Sequence, residues 1–335
     1  MMKFWYSKYL LQPQTSLGTL ADAHPREGAL LLIEWPDKKV GYADLFPWPE
    51  LGDETLEVHL NKLRSGHLTR LVEQSIWLAR RDALMRSKKI NVWSMGLGKV
   101  KNHFLVNDCT RIDETTIQDA ILASFSTFKV KTGKSPEEEL RWIDRFMRQR
   151  KNLQLRLDFN CSLSLPEYKE YMKGVHPSFR SRIEFVEDPM RFDPDNWREV
   201  MALAPLALDQ EFDRVDWKQL KDSAPFEVLI FKPARQDAKL VLEKMNKYAL
   251  KMAITSSMDH PVGVAHAAWL ANETKKFSPN TLLDCGCLSL RSYKTSDFSL
   301  MVLQQGPYVN EVPGTGIGFD LLLGKLPWTL IEKTT

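Results

Sequence analysis

The sequence predicts an α/β fold: a parallel barrel of alternating strands and helices, preceded by a smaller α+β domain. Three observations predict it. Five short apolar runs end in charged residues, in the order Lys131, Asp158, Glu187, Asp209 and Lys232. These tips lie 22 to 29 residues apart, about one strand, one helix and two loops per interval. The first hundred residues lack that alternation and show extended runs first and helical runs after. A chain of 335 residues is long enough for one barrel plus a second, smaller core.

In the first domain, residues 1–100, segments 28–34 and 39–45 are apolar and extended. Pro36-Asp37-Lys38 joins them, which reads as a β-hairpin. Segments 54–63 and 71–85 carry apolar residues at helical spacing, for example Leu71, Ile76, Ala79 and Ala83. The barrel domain, residues 101–319, opens with Phe104-Leu105-Val106, a helix at 116–124 and the run Phe128-Lys129-Val130-Lys131. The next helix, 136–150, has strong end signals. Ser135 is placed as N-cap, Pro136 as first residue and Glu138 as the partner in a capping box, with Arg148 and Arg150 at the negative end. Its inward face is expected to be Leu140, Ile143, Phe146 and Met147.

Helices are expected near 166–173, 195–203, 216–220, 236–248 and 261–271, and further strands near 251–255 and 281–284. Eight strands, each followed by a helix or its remnant, make a (β/α)8-type barrel, whose sites lie at the C-terminal strand ends. The five charged tips share that rim. The tail, 320–335, is apolar at Leu326, Trp328, Leu330 and Ile331 and is expected to pack back on the first domain.

The charge is nearly balanced, 46 basic against 43 acidic residues, so neither nucleic acid nor an acidic membrane is expected as partner. Cys109, Cys161, Cys285 and Cys287 show no disulfide or zinc spacing, and free thiols in a reducing compartment are expected. The N-terminus lacks a signal-peptide layout, and no apolar run approaches about 18 residues. A cytoplasmic enzyme is the resulting expectation. No oligomeric state follows from the sequence.

Asp158, Glu187 and Asp209 offer oxygen ligands only, which suits a hard cation of the magnesium type. Without a cation, three neighbouring carboxylates raise one another's pKa and repel. A cation there would disperse the charge that forms on a substrate carboxylate when its α-proton leaves. A lysine base needs a destabilised ammonium, and Lys129, two residues before Lys131 on the same strand face, supplies a neighbouring cation. The array therefore argues for proton abstraction α to the carboxylate of a small molecule. Arg156 shares the inward face of Asp158 and could orient substrate or fill a barrel layer as an ion pair.

These residues, in this order, resemble the enolase superfamily and its muconate-lactonizing subgroup with a Lys-x-Lys motif. The resemblance rests on Lys129-Val130-Lys131, Arg156-Leu157-Asp158-Phe159-Asn160, Phe185-Val186-Glu187-Asp188-Pro189, Leu206-Ala207-Leu208-Asp209 and Phe231-Lys232-Pro233. Glu27-Gly28-Ala29-Leu30-Leu31-Leu32 and Gly41-Tyr42-Ala43-Asp44-Leu45-Phe46-Pro47 look like the capping-domain hairpin. A lysine or histidine base working with magnesium is that superfamily's established pattern. The resemblance implies a (β/α)7β-type TIM barrel with an N-terminal α+β capping domain. It implies magnesium, with manganese as a substitute, on Asp158, Glu187 and Asp209. Lys131 would move the proton and Lys232 would stabilise the enolate. Lys129, Arg156, Ser256 and Ser257 would bind substrate, with Asn160 and Gln210 supporting the ligands.

Within the subgroup, Thr255-Ser256-Ser257-Met258 before a helix is most similar to the o-succinylbenzoate synthase family, dehydratases of menaquinone biosynthesis. That implies magnesium-dependent syn-dehydration of 2-succinyl-6-hydroxy-2,4-cyclohexadiene-1-carboxylate, a carbon-oxygen lyase reaction. The alternative is N-acylamino-acid racemisation or another epimerisation on the same scaffold. Two positions depart from the pattern. Gln210 and then Glu211 follow Asp209 where many relatives carry Glu directly. The run Asp284-Cys285-Gly286-Cys287 replaces the Asp-x-Asp of dipeptide epimerases. A Schiff-base aldolase using Lys232 is the reading from another mechanistic class.

Other motifs carry less. Gly314-Thr315-Gly316-Ile317-Gly318 lacks dinucleotide spacing and reads as a flexible turn. His103, His260 and His266 have no ligand partner at metal spacing and read as structural or surface residues. Trp35, Phe46 and Trp48 read as core, or as a capping loop over an apolar substrate.

Overall fold

The computed structural model describes residues 2–14, 24–302 and 306–332. Strands Lys3–Leu11 (β1), Arg26–Glu34 (β2) and Val40–Leu45 (β3) form an antiparallel sheet, with β2 in the middle. The hairpin turns at Lys38, whose φ is +62°, and Glu34 pairs with Val40. β1 gave no clear signal in the sequence. Only Phe4, Ser7 and Leu11 of it are buried, a spacing that breaks the period-two alternation by which a half-buried strand is read. Helices Leu56–Arg64 (α1) and Arg70–Ser87 (α2) cover the sheet. Leu60, Leu63, Leu78 and Ala79 pack there on Leu31, Ile33 and Ala43.

The barrel alternates Phe104–Val106 (β4), Glu114–Leu122 (α3), Thr127–Lys131 (β5), Pro136–Gln149 (α4), Gln154–Asp158 (β6) and Leu165–Gly174 (α5). It continues through Ile183–Glu187 (β7), Pro194–Val200 (α6), Leu206–Leu208 (β8), Val228–Phe231 (β9), Ala238–Tyr248 (α7), Lys251–Ile254 (β10) and Pro261–Phe277 (α8). These seven strands form one parallel sheet in sequence order. The eighth strand survives only as isolated parallel bridges. Leu282 and Gly286 bridge to Met252 and Thr255, while Cys285 bridges to Asn102 just before β4, and that closes the ring. The architecture is α/β, a (β/α)7β-type barrel behind an α+β domain.

Local expectations need correction at two places in the barrel. Residues 216–220 form turns rather than a helix. Five residues give too little hydrogen bonding to offset helix nucleation, and Trp217 instead packs against Phe212 and Phe226. At α4 the cap is Glu139, one residue beyond the capping-box position. Its carboxylate accepts from the N–H groups of Gly133, Lys134 and Ser135, each at 2.9 Å, and Ser135 makes no side-chain cap. The inward face of α4 includes Trp142, and Leu140 is only half-buried.

The glycine segment after the barrel is a clamp, not a free turn. Asp82 on α2 is fully buried and accepts from the N–H of Tyr42 and of Ile317, both at 2.9 Å, and from Arg86 Nε at 2.6 Å. Arg86 continues to Asp320 at 2.5 Å and to the Gly318 carbonyl at 2.7 Å. Gly316 lies at φ +55°, and a Cβ there would sit 1.9 Å from Asp82 Oδ1, so only glycine permits the approach. Beyond a short helix at Asp320–Leu323, the tail strand Thr329–Leu330 adds to β1, and Ile331 enters the first domain's core. No helix among the described residues is long and apolar enough to cross a membrane.

Removing Asp82 orphans two buried N–H groups and leaves Arg86 Nε without its acceptor, while the rest of the guanidinium keeps Asp320 and the Gly318 carbonyl. Asp82→Ala is expected to destabilise the fold by about 3–5 kcal/mol, read as a lower urea midpoint. A loss below about 1 kcal/mol would contradict the clamp.

Candidate active site

Strand register assembles the charged rim. Lys129 and Lys131 are two apart on β5 and face inward together. Lys131 pairs with Asp158 across β5 and β6, and Asp158 with Glu187 across β6 and β7. Asp209 and Lys232 each follow their strand, β8 and β9, by one residue.

Asp158 Oδ2 accepts from Lys131 Nζ at 2.6 Å and from Lys129 Nζ at 2.8 Å. Lys129 also donates to Glu187 Oε1 at 2.7 Å, and Lys131 to Asn160 Oδ1 at 2.9 Å. Lys232 donates to Asp209 Oδ2 on the opposite side of the rim. All three carboxylates are buried. Burial disfavours the charge of Asp158, but Lys129 and Lys131 outweigh it and hold the carboxyl well below the usual range. Glu187 goes the other way: burial, then the negative charge of Asp158, push it up to about 7. Burial also opposes the charge of Lys129, and Asp158, Glu187 and Asp209 overcome it, holding its ammonium well above the lysine range.

Behind the rim, Asp188 accepts from the N–H of Asp209 at 3.0 Å and of Gln210 at 2.8 Å, which fixes the backbone that presents Asp209. Burial, then Asp209 and Glu187, keep the Asp188 carboxyl well above its usual range. Glu211 turns away, to Arg191 at 2.6 Å and Arg214 at 3.0 Å. The extra residue after the third carboxylate therefore moves that charge off the rim.

No three Asp, Glu, His or Cys side chains among the described residues close as a finished metal cage. Lysine ammonium groups lie between the carboxylates instead. The donor set still fits a hard divalent cation. Every donor is an oxygen, and Glu187 Oε2 is buried without a hydrogen-bond partner among the described residues.

One cavity joins most of the sequence-derived residues: Lys129, Lys131, Asp209, Lys232, Ser256 and Ser257 line it. Asn160 and Gln210 line it too, and Asp158 and Glu187 lie behind the two β5 lysines. Ser256 Oγ is hydrogen-bonded to Ser289 Oγ at 2.6 Å, whereas Ser257 Oγ is buried and has no partner among the described residues. Arg156 is not among the residues that line the cavity. Its guanidinium is fully buried, with Nε on Glu184 at 2.6 Å and the Phe185 ring beside it, the layer-filling arrangement.

The first domain supplies the roof. Trp48 and Leu51 line the cavity, and Trp48 Nε1 donates to the Ser257 carbonyl at 3.0 Å. Arg235 reaches Asp53 at 2.7 and 2.8 Å and ties that loop to the end of β9. Sequence reasoning missed Arg235, and Asp188 entered only as part of a motif. Arg235 follows Lys232 by one helical turn, which is the signal available for it. The cysteines are free, and burial raises the thiols of Cys109 and Cys285 to about 12.

Residues 4–85 match the family model described as the O-succinylbenzoate synthase N-terminal domain, and residues 114–321 match the enolase C-terminal domain-like model. The chain is 42% identical over 328 residues to the o-succinylbenzoate synthase of Bdellovibrio bacteriovorus, covering 98% of each chain. It is 25% identical to the L-Ala-D/L-Glu epimerase of Francisella tularensis subsp. novicida, over 65% of this chain and 64% of that one. Among solved structures, the dipeptide epimerase of Enterococcus faecalis, complexed with Mg and a dipeptide, shares the fold. The TM-score is 0.73 at 15% identity, over 94% of this chain and 98% of that one. A rim of paired lysines and carboxylates under a roof from the first domain, matched end to end in sequence, places the chain in the enolase superfamily, within the o-succinylbenzoate synthase family of hydro-lyases.

Proposed function

We propose that this chain catalyses the syn-dehydration of 2-succinyl-6-hydroxy-2,4-cyclohexadiene-1-carboxylate to o-succinylbenzoate, a step of menaquinone biosynthesis, in the cytoplasm. The observation that carries the reading is the placement of Lys131 and Lys232 on opposite sides of one cavity, each hydrogen-bonded to a buried carboxylate. The end-to-end similarity to the Bdellovibrio o-succinylbenzoate synthase supports this choice of substrate.

Asp158, Glu187 and Asp209 would hold Mg2+, with Mn2+ as a substitute. When bound, the cation supplies dispersal of the charge that builds on the substrate's ring carboxylate. Lys131 Nζ, held by Asp158 and Asn160, is positioned to take the α-proton and return it to the departing hydroxyl on the same face. Lys129 stays cationic between Asp158 and Glu187 and keeps a fixed positive charge beside Lys131. Lys232 stabilises the enolate from the far side and transfers no proton. Trp48 and the Arg235–Asp53 pair keep the roof seated, which excludes water from the aromatising ring.

The same lysines would serve racemisation of an N-acylamino acid, and the likeness to an epimerase keeps that reading in view. Racemisation needs proton transfer on both faces, whereas elimination needs it on one.

The direct test is to incubate the protein with Mg2+ and the cyclohexadiene substrate and follow the aromatic product. No product, with α-proton exchange of N-succinylamino acids in heavy water instead, would overturn the dehydratase reading. Lys131→Ala is expected to lower kcat by about 10²–10⁴-fold. Lys232→Ala is expected to cost about 10²–10³-fold, with solvent deuterium effects on the residual rate unchanged. Chelation should abolish turnover, with recovery on added Mg2+ or Mn2+. Full activity after exhaustive chelation would contradict the metal assignment.

A further inference from the structure

His103 and Arg156 form a buried pair that the reaction scheme above leaves unused. One terminal nitrogen of Arg156 donates to His103 Nδ1 at 2.9 Å and to the Asp284 carbonyl at 2.8 Å. A guanidinium has donors only, so Nδ1 must accept and the imidazole proton sits on Nε2. Burial first, then the charges of Arg156 and Lys129, keep the ring neutral. Its Nε2 has no hydrogen-bond partner among the described residues, although the residue is only 7% exposed.

The ring lines the same cavity as the two catalytic lysines. Its Cε1–Nε2 edge lies against Gly286, where a Cβ would come within 2.6 Å of Cε1 and 2.8 Å of Thr255 Cγ2. Glycine at the eighth strand therefore lets His103 and Thr255 close on one another. Two more buried oxygens on cavity-lining residues, Thr255 Oγ1 and Ser257 Oγ, also lack partners. Three groups able to donate, with no carboxylate among them, suit a carboxylate ligand. The substrate has two, and the ring carboxylate belongs with the cation cluster.

We propose that His103 is a specificity-determining residue, a donor oriented by Arg156 that recognises the terminal carboxylate of the substrate's succinyl arm. The inference rests on the dehydratase reading and deepens it. Arg156 is then a positioning residue, which explains why it shares the strand face of Asp158 without reaching the cavity.

The test compares binding of o-succinylbenzoate and of 2-butyrylbenzoate, in which a methyl group replaces the terminal carboxylate, by calorimetry with Mg2+ present. His103→Asn keeps an acceptor for Arg156 but withdraws the far donor, and His103→Gln restores a donor at about the reach of Nε2. His103→Asn should weaken o-succinylbenzoate about tenfold and leave 2-butyrylbenzoate within about threefold, with His103→Gln close to wild type. Equal losses for both ligands, equal losses in both variants, or no loss in His103→Asn would overturn the inference. If the wild-type protein neither dehydrates the cyclohexadiene substrate nor binds o-succinylbenzoate, the dehydratase reading itself fails and the inference with it. Wild-type turnover with an unaffected His103→Asn variant overturns the inference alone.

Discussion

The rest of the structure answers to one constraint, the gathering of buried carboxylates at the C-terminal rim of the barrel. Asp158, Glu187, Asp209 and, behind them, Asp188 are all at least nine-tenths buried. Isolated, such charges would be too costly to keep. The chain compensates with Lys129 and Lys131 on one side and Lys232 on the other, and the compensation is uneven. Asp158 receives two ammonium groups, whereas Glu187 receives one and keeps an oxygen without a partner. That unpartnered oxygen is the place the proposed cation would take.

Around that cluster the fold serves mainly to hold register. Parallel pairing of β5, β6 and β7 sets Lys131, Asp158 and Glu187 side by side, so a slip of one residue would turn the array out of the barrel. The eighth strand is reduced to single bridges, and its Gly286 yields space to His103 and Thr255. The first domain is fixed from two directions, by Asp82 on the glycine segment and by the tail strand on β1. Trp48 is thereby presented to the cavity from a stable base.

Much of this was legible in the sequence because strand ends in a barrel carry a local signature. Val228 to Phe231 followed by Lys232 is an apolar run with one charge, and such a run means little alone but much in a series of five. Helix α4 was legible from its proline and its inward aliphatics, but its true cap, Glu139, answers to a loop conformation that no spacing rule encodes. β1 was not legible, because its burial follows no period-two pattern. His103 read as a structural histidine since its partner, Arg156, is distant in the chain and meets it only when β4 and β6 face the same interior. Partnership across the barrel depends on curvature, which the linear pattern does not carry.

The central claim is that the buried carboxylates form a cation site and not only a set of internal ion pairs. Calorimetric titration of Mg2+ into the wild-type protein and into Glu187→Gln tests it most directly. The account predicts one saturable site per chain in the wild type, weakened at least tenfold in the variant. Absence of binding in the wild type, or equal affinity in both proteins, would contradict it.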